Sequence, residues 1–507
     1  MSNDFQIEKY LQKNFKTIPA TLKYGTAGFR AIYNENFLFL SVLALLFISK
    51  LSSNRQETYG YMLTASHNSY PYNGIKICNY NGELLDAEIE NELEEFVHLD
   101  LDTLILCIKN MEPFENSNII IGYDTRPSSS IIINELMKVC ALQQIKVINL
   151  GISTTPQLFR AVREVNERNL DFTNIYTDIL LDTFRGRIKS LRKKTDVIYI
   201  DHANGSGISI FKNNFLKKLS KLFDLEAKVI TPPGEINENS GSDYVTSKNI
   251  LPEFASKLLT KNKEHIGVSF DGDCDRIVFY NHKHIFDGDY LAILLMKYIE
   301  VVLSKNYASG ELTKCVVVTP YSNSNMGDEV RKEDWNFVMA APGVKNLHHE
   351  AIKYDVGIYF EKNGHGNVHF SKKALKDKNI ARIDKLLYSK AGDSIAIFLL
   401  TIYSIRYLQI TWQDFADMIP NIIQVNDKIV RNNLDTKLLT NDIETEIQEP
   451  KELSDGIKEI NDKFPGNRAV IRPSGTEPII RLLIEGNDID LINKHVKELK
   501  NYFLGKV

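Results

Sequence analysis

Residues 118–150 read NIIIGYDTRPSSSIIINELMKVCALQQIKVINL. The isoleucine run Asn118–Gly122 predicts a buried strand. Pro127 then stands where the first turn of a helix tolerates a residue without an N–H. Lys146–Leu150 is a second short apolar run. Strand, helix and strand within about 30 residues make a β-α-β unit, the mark of a parallel sheet covered by helices.

The same alternation recurs on both sides of this unit. Thr58–Leu63 predicts a strand that runs into Thr64-Ala65-Ser66-His67-Asn68. A polar stretch at Asp182–Thr195 closes a first domain, and the cycle restarts with strands at Asp196–Ile200, Ala227–Ile230 and His265–Phe270. Asp287–Val302 predicts a long helix leading to strands at Cys315–Thr319, Phe337–Ala340 and Gly357–Phe360. Leu386–Ile405 predicts one more apolar helix. From about Asn421 the pattern predicts a smaller α+β domain with strands at Ala469–Ile471 and Ile479–Ile484 and a closing helix, Asp490–Phe503. The fold class is α/β, with expected domains at residues 1–190, 191–300, 301–410 and 411–507. The β-α cycle repeats without a clear repeat at the level of residues.

Composition narrows the function. The chain has 507 residues, a net charge of −4 and a hydrophobic fraction of 43%, as an ordinary globular protein does. A near-neutral balance argues against a nucleic-acid partner. The five cysteines form no C-x-x-C pair, so neither a disulfide framework nor a zinc knuckle is expected. The greasiest stretch, Phe37–Ile48, is shorter than the ~20 residues that span a bilayer, so it predicts a buried helix and no membrane partner. The amino-terminal sequence lacks an apolar signal core, which leaves the cytoplasm as the expected compartment.

Four loops carry chemistry, each just after a strand, at the sheet edge where α/β folds bind ligands. In Thr64-Ala65-Ser66-His67-Asn68, Ser66 is a candidate phosphoryl-accepting nucleophile, with His67 beside it and Lys76 ten residues on. Asp271-Gly272-Asp273-Cys274-Asp275-Arg276 sets three carboxylates on a tight turn, which suits Mg²⁺. It is not an EF-hand, because Arg276 stands where that loop needs Gly and His282 where it needs Glu. Glu361-Lys362-Asn363-Gly364-His365-Gly366 offers hydrogen-bonding partners for a polyol. Arg472-Pro473-Ser474-Gly475-Thr476-Glu477-Pro478, with Arg481 after it, forms a cradle for a phosphate dianion. Singly, each loop also reads as ordinary turn chemistry. Together they point to phosphoryl transfer on a phosphorylated small molecule.

This ordered set, with Gly25-Thr26-Ala27-Gly28-Phe29-Arg30 before it, resembles the α-D-phosphohexomutase superfamily over nearly the whole chain. Gly343-Val344-Lys345-Asn346-Leu347-His348-His349 and the Asn363-Gly364-His365-Gly366 loop resemble its branch that acts on N-acetylglucosamine phosphates. The resemblance implies three related α/β domains and a smaller α+β carboxyl-terminal domain around a central cleft. It implies exchange of a phosphoryl group between the 6- and 1-positions of the sugar, supplying UDP-N-acetylglucosamine synthesis. The implied cofactor is Mg²⁺, with a sugar 1,6-bisphosphate as intermediate and activator. Ser66 matches the phosphoserine, and Asp271, Asp273 and Asp275 the metal ligands, joined by an oxygen on the phosphate of Ser66. Arg30, His67 and Lys76 match positions near the reacting centre. Arg276, Gly343, Lys345, Glu361, Asn363 and His365 match sugar-binding positions. Arg472, Ser474, Gly475, Thr476 and Arg481 match the phosphate loop. Ser69 stands where the family usually has Pro, and Tyr72 where it has an acidic residue, but the Ser66–Lys76 spacing is kept. A glucose or mannose phosphate mutase, or a non-catalytic sugar-phosphate-binding relative, is the rival expectation.

Overall fold

The computed structural model describes residues 3–25, 28–110, 114–168, 176–187, 196–211, 214–388, 392–430, 438–473 and 479–504. They form two compact units. The first comprises Met1–Asp287, Asn363–Asn367 and Arg382–Gln409; the second comprises Gly288–Lys362, Val368–Ala381 and Ile410–Val507.

Three sheets share one spatial plan. From the outer edge, the first runs Lys146–Ile152, Asn118–Tyr123, Thr58–Leu63, Tyr72–Cys78 and Phe29–Ile32. The second runs Leu225–Val229, Asp196–Asp201, Ile266–Phe270, Ile277–Tyr280 and Ile285–Phe286. The third runs Asn336–Met339, Lys314–Val318, Val356–Phe360 and Gly366–Phe370. In each, the first three strands are parallel. The chain enters the second and third sheets at the second strand of this order. It enters the first at Phe29–Ile32, and visits Thr58–Leu63 and Tyr72–Cys78 before Asn118–Tyr123. The plan is shared while its connection is permuted, which is why no residue repeat shows in the sequence.

One corner of this plan recurs three times. A fully buried strand leads through a loop into the strand that returns beside it. Those loops carry Ser66, the Asp271–Arg276 segment, and Glu361 with Asn363 and His365. Three motifs far apart in sequence therefore occupy the same structural position in three sheets, at carboxyl ends of strands.

The smaller sheet is antiparallel, with Ile423–Val430 and Arg468–Pro473 flanking Ile479–Gly486. The helices Lys451–Asp462 and Ile489–Phe503 cover it, burying Ile457, Ile460, Leu482, Ile484, Ile492 and Leu499. This is the expected α+β domain.

Two segments differ from the sequence expectation. The apolar stretch from Phe37 lies in a longer helix, Glu35–Arg55, whose 21 residues are apolar enough to cross a bilayer by length and composition. It is the buried core helix that the sequence predicts, only longer: Leu40, Val42, Leu43, Leu45, Leu46 and Ile48 are buried, and the Tyr61 hydroxyl donates to the Ser41 carbonyl at 2.8 Å. Asn34 caps its start by accepting from the Phe37 amide.

The stretch expected as one helix, Leu386–Ile405, is divided instead. Lys378–Leu386 ends a first helix and Ser394–Tyr407 is a second, because Gly392 turns at φ +90° and the Asp393 side chain caps the new helix at the Ala396 amide. The second helix is buried nearly all round. Phe398 stacks on Phe279 at 5.9 Å and meets Phe270 edge-on at 5.9 Å. A domain spanning residues 301–410 would keep this helix with the third sheet, but it belongs to the compact unit that holds the second.

Candidate active site

Ser66 follows a strand buried on both faces, and its backbone takes φ +50°. A non-glycine residue in that region stores strain of order 1–3 kcal/mol and needs its surroundings to hold it. The holding groups are visible. Thr64 Oγ1 accepts the Ser66 amide at 2.9 Å. Asn237 Nδ2 donates to the carbonyls of Ser66 and Asn68 at 2.7 and 2.9 Å. Arg126, itself paired with Asp124, donates to the Asn68 carbonyl at 2.5 Å. The altered Ser69–Tyr72 stretch closes as a turn, with the Tyr72 amide donating to the Ser69 carbonyl at 3.1 Å. The loop is therefore closed with Ser69 in place of the family's proline, and Pro71 lies inside the turn. Gly28, of the amino-terminal motif, packs against the strand Tyr72–Cys78 that follows the loop: φ is +86°, and a Cβ there would lie 2.0 Å from the Ile75 carbonyl oxygen. Thr26 and Ala27 of that motif lie outside the described residues.

The serine hydroxyl points into the aspartate loop, with Ser66 Oγ donating to Asp271 Oδ2 at 2.7 Å. Asp271, Asp273 and Asp275 are all buried, and one oxygen from each lies within 4.8 Å of the others. Asp271 Oδ1 accepts the amides of Asp275 and Arg276 at 3.0 and 3.1 Å. Burial, then Asp275 and Asp273, push the Asp271 carboxyl well above the usual carboxylate range. Burial also opposes the charge on Asp275, but Lys76, His365 and Arg276 outweigh it and hold that carboxyl well below. Asp273 is lowered as well: burial and Asp275 raise it, and Lys76 and the Thr155 hydroxyl overcome them.

Lys76 Nζ lies 2.6 Å from both Asp273 and Asp275. Burial works against its charge, yet the two carboxylates keep its pKa above that of a free lysine. Asp273 Oδ1 and Asp275 Oδ1 are buried with no hydrogen-bond partner among the described residues. Orphaned carboxylate oxygens beside a third carboxylate fit a small hard cation such as Mg²⁺, which these three residues would hold.

Arg30, His67 and Arg276 surround this centre. Arg30 Nη1 donates to Asn68 Oδ1 at 3.3 Å. Arg276 pairs with Asp243 at 2.7 Å and comes within 3.6 Å of Asp275. Burial, then Arg276 and Arg30, hold His67 well below the usual imidazole range. His365 reaches the same centre on a loop that only glycine permits. Gly364 turns at φ +84°, and a Cβ there would lie 1.7 Å from the Ile277 carbonyl. Asn363 Oδ1 accepts the His365 amide at 3.0 Å.

The second unit holds the other expected residues. Glu361 Oε1 accepts the Gly343 amide at 3.0 Å, at the start of the helix Val344–Ala351 that carries Lys345. Arg472 and Arg481 stand directly opposite in the antiparallel register, so two guanidiniums share one face of the small sheet. Ser474, Gly475 and Thr476 lie outside the described residues. The structure thus gathers Arg30, Ser66, His67, Lys76, the three aspartates, Arg276 and His365 in the first unit.

Sequence reasoning missed Asn237, Arg126 and Thr155 as supports. Thr155 Oγ1 donates to Asp273 Oδ2 at 2.5 Å, and its amide to the Asp273 carbonyl at 3.0 Å. The Asp124-Thr125-Arg126 segment at a strand end was a signal for Arg126. Asn237 and Thr155 carry none.

Residues 287–425 match the family model described as phosphoacetylglucosamine mutase AMG1, domain III. Residues 26–102 and 104–171 match domain I of the phosphoglucomutase/phosphomannomutase models, and residues 437–501 their C-terminal domain. A probable phosphoacetylglucosamine mutase of Encephalitozoon cuniculi is 32% identical, over 96% of this chain and 96% of that protein. A crystal structure of N-acetylglucosamine-phosphate mutase in its product complex superposes with a TM-score of 0.88 at 26% identity, covering 99% of each chain. The Aspergillus fumigatus enzyme, solved with GlcNAc-6P and magnesium, gives a TM-score of 0.86 at 25% identity, again over 99% of each chain. With 96% of the chain matched in sequence and 99% in fold, the chain belongs to the phosphoacetylglucosamine mutase family of the α-D-phosphohexomutase superfamily.

Proposed function

We propose that this protein interconverts N-acetylglucosamine 6-phosphate and N-acetylglucosamine 1-phosphate by passing a phosphoryl group through Ser66. The observation that carries this reading is the 2.7 Å hydrogen bond from Ser66 Oγ to Asp271 inside the buried aspartate trio. A relative of the same fold was solved with GlcNAc-6P and magnesium, the substrate and cation assigned here.

In the working form Ser66 Oγ carries phosphate. The substrate's own phosphate docks on Arg472 and Arg481, with Ser474, Gly475 and Thr476. Its free hydroxyl oxygen attacks phosphorus, the P–Oγ bond breaks with its electron pair going to Oγ, and the hydroxyl proton passes to a base. The product is the 1,6-bisphosphate. After reorientation Oγ attacks its other phosphoryl group, and the released sugar oxygen takes up a proton. A sugar 1,6-bisphosphate added from solution restores phosphate to Ser66 by this second half. Mg²⁺, when bound at Asp271, Asp273 and Asp275, supplies charge withdrawal from the phosphoryl oxygens.

Among the three candidate bases, Lys76 is committed as a cation to two aspartates, and Arg30 keeps its charge. Burial, then Arg276 and Arg30, disfavour the charge on His67, and its Nδ1 is buried with no hydrogen-bond partner among the described residues. We assign the proton to His67. His67→Gln is expected to lower kcat about 100-fold or more while KM changes little; an unchanged kcat would return the role to another group.

Steady-state assays with N-acetylglucosamine, glucose and mannose phosphates, run side by side with Mg²⁺ and a trace of bisphosphate, test the substrate. The N-acetylglucosamine phosphates are expected to give the highest kcat/KM; a preference for glucose or mannose would reassign the enzyme. Arg472→Ala is expected to raise KM about 10- to 100-fold, since a charge-assisted bond worth roughly 1.5–3 kcal/mol is lost.

A further inference from the structure

Two further groups grip Arg472, and neither belongs to the phosphate loop. Tyr321 follows the strand Lys314–Val318, and Arg472 Nε donates to its hydroxyl at 2.5 Å, with the guanidinium carbon 5.4 Å from the ring centre. Glu444 lies in the turn between Leu439–Thr440 and Ile447–Glu449, where its backbone takes φ +56°. Its carboxylate accepts from Arg472 Nη1 at 2.5 Å.

That turn is itself anchored. The Ile471 amide donates to the Thr445 carbonyl at 2.9 Å, one residue from Arg472 in the strand. Asn441 Oδ1 accepts the Thr445 amide at 2.8 Å, and its Nδ2 donates to Thr445 Oγ1 at 2.6 Å. A left-handed glutamate therefore stands on a braced turn with its carboxylate on the guanidinium.

The charge pattern explains what such a grip achieves. Lys428, Arg481 and Arg472 are in register across the three strands, so three cations lie side by side on one face. Like charges placed opposite one another repel, and an unheld arginine would swing away. With Nε on Tyr321 and Nη1 on Glu444, two of the three nitrogens are fixed. Nη2 has no hydrogen-bond partner among the described residues.

We propose that Tyr321 and Glu444 are positioning residues that clamp the Arg472 guanidinium so that its Nη2 edge faces the phosphate of the sugar. The inference rests on Arg472 being the phosphate anchor. A fork held in place before binding loses less conformational freedom when the dianion arrives, so the clamp acts on affinity.

The experiment uses the full-length enzyme with GlcNAc-6P. Tyr321→Phe removes one oxygen, and Glu444→Gln removes the charge but keeps the shape. Each is expected to raise KM about 3- to 10-fold, the worth of one ordinary to charge-assisted hydrogen bond, with kcat within about twofold. In an Arg472→Ala background the same substitutions are expected to change KM no further, because the group they act through is gone. A merely structural role would persist in that background. If Arg472→Ala itself leaves KM unchanged, the anchor assignment fails before the clamp is tested by it. If Arg472→Ala raises KM but the single variants leave it unchanged, or their effects add to it, the clamp is overturned. A lower KM in Glu444→Gln would also overturn it for Glu444, showing a competitor of the phosphate rather than a support.

Discussion

Ser66→Ala is expected to abolish mutase activity, by at least about 10⁴-fold, while leaving the protein folded. The loss follows because Oγ is the atom that accepts and returns the phosphoryl group. The fold survives because the strained loop is held by groups that do not involve that oxygen: Thr64 at the amide, and Arg126 and Asn237 at the carbonyls. Alanine can adopt the same left-handed backbone at the same cost. Intact-mass measurement after incubation with a sugar bisphosphate should find one phosphoryl group on the native chain and none on the variant. Near-normal turnover, or a phosphoryl group retained by the variant, would remove Ser66 from the reaction.

Asp273→Asn is expected to weaken Mg²⁺ binding at least about 100-fold and to depress kcat with it. Asp273 accepts from Lys76 Nζ and Thr155 Oγ1 on one oxygen, while the other has no hydrogen-bond partner among the described residues. The amide keeps the shape but surrenders the charge that offsets Lys76. Isothermal titration of Mg²⁺ into the dephosphorylated protein reads the first effect without turnover. Raising Mg²⁺ in a steady-state assay should recover part of the lost rate. Native Mg²⁺ affinity in this variant would separate the aspartates from the metal. The alanine substitution is a poorer test, since removing one partner of a buried ion pair typically costs about 3–5 kcal/mol.

Much of this site was legible because its chemistry is local. Asp271, Asp273 and Asp275 sit on one turn, and the turn follows a run of buried apolar residues; spacing alone proposed a cation. Ser66 was marked by a strand end and by Lys76 ten residues on. That Lys76 pairs with two of the aspartates was not legible, because a lysine far away in sequence announces no partner. Asn237 is a plain asparagine in a polar loop, and its two hydrogen bonds exist only once two sheets are packed. Tyr321 and Glu444 were invisible for the same reason. The apolar character of residues 394–407 predicted burial but could not say against what. Its aromatic partners, Phe270 and Phe279, precede it by more than a hundred residues. The common plan of the three sheets was hidden by its permuted connection in the first.

The return of Arg382–Gln409 to the first unit sets an order on biosynthesis. When the ribosome has released the chain up to Asp287, the second sheet is complete, but Phe270 and Phe279 still await Phe398. That surface stays open until some 120 further residues have emerged. A nascent chain in this state is a natural client for chaperones, and a gene fragment stopped at Asp287 would yield a greasy, aggregation-prone product rather than a minimal metal-binding module.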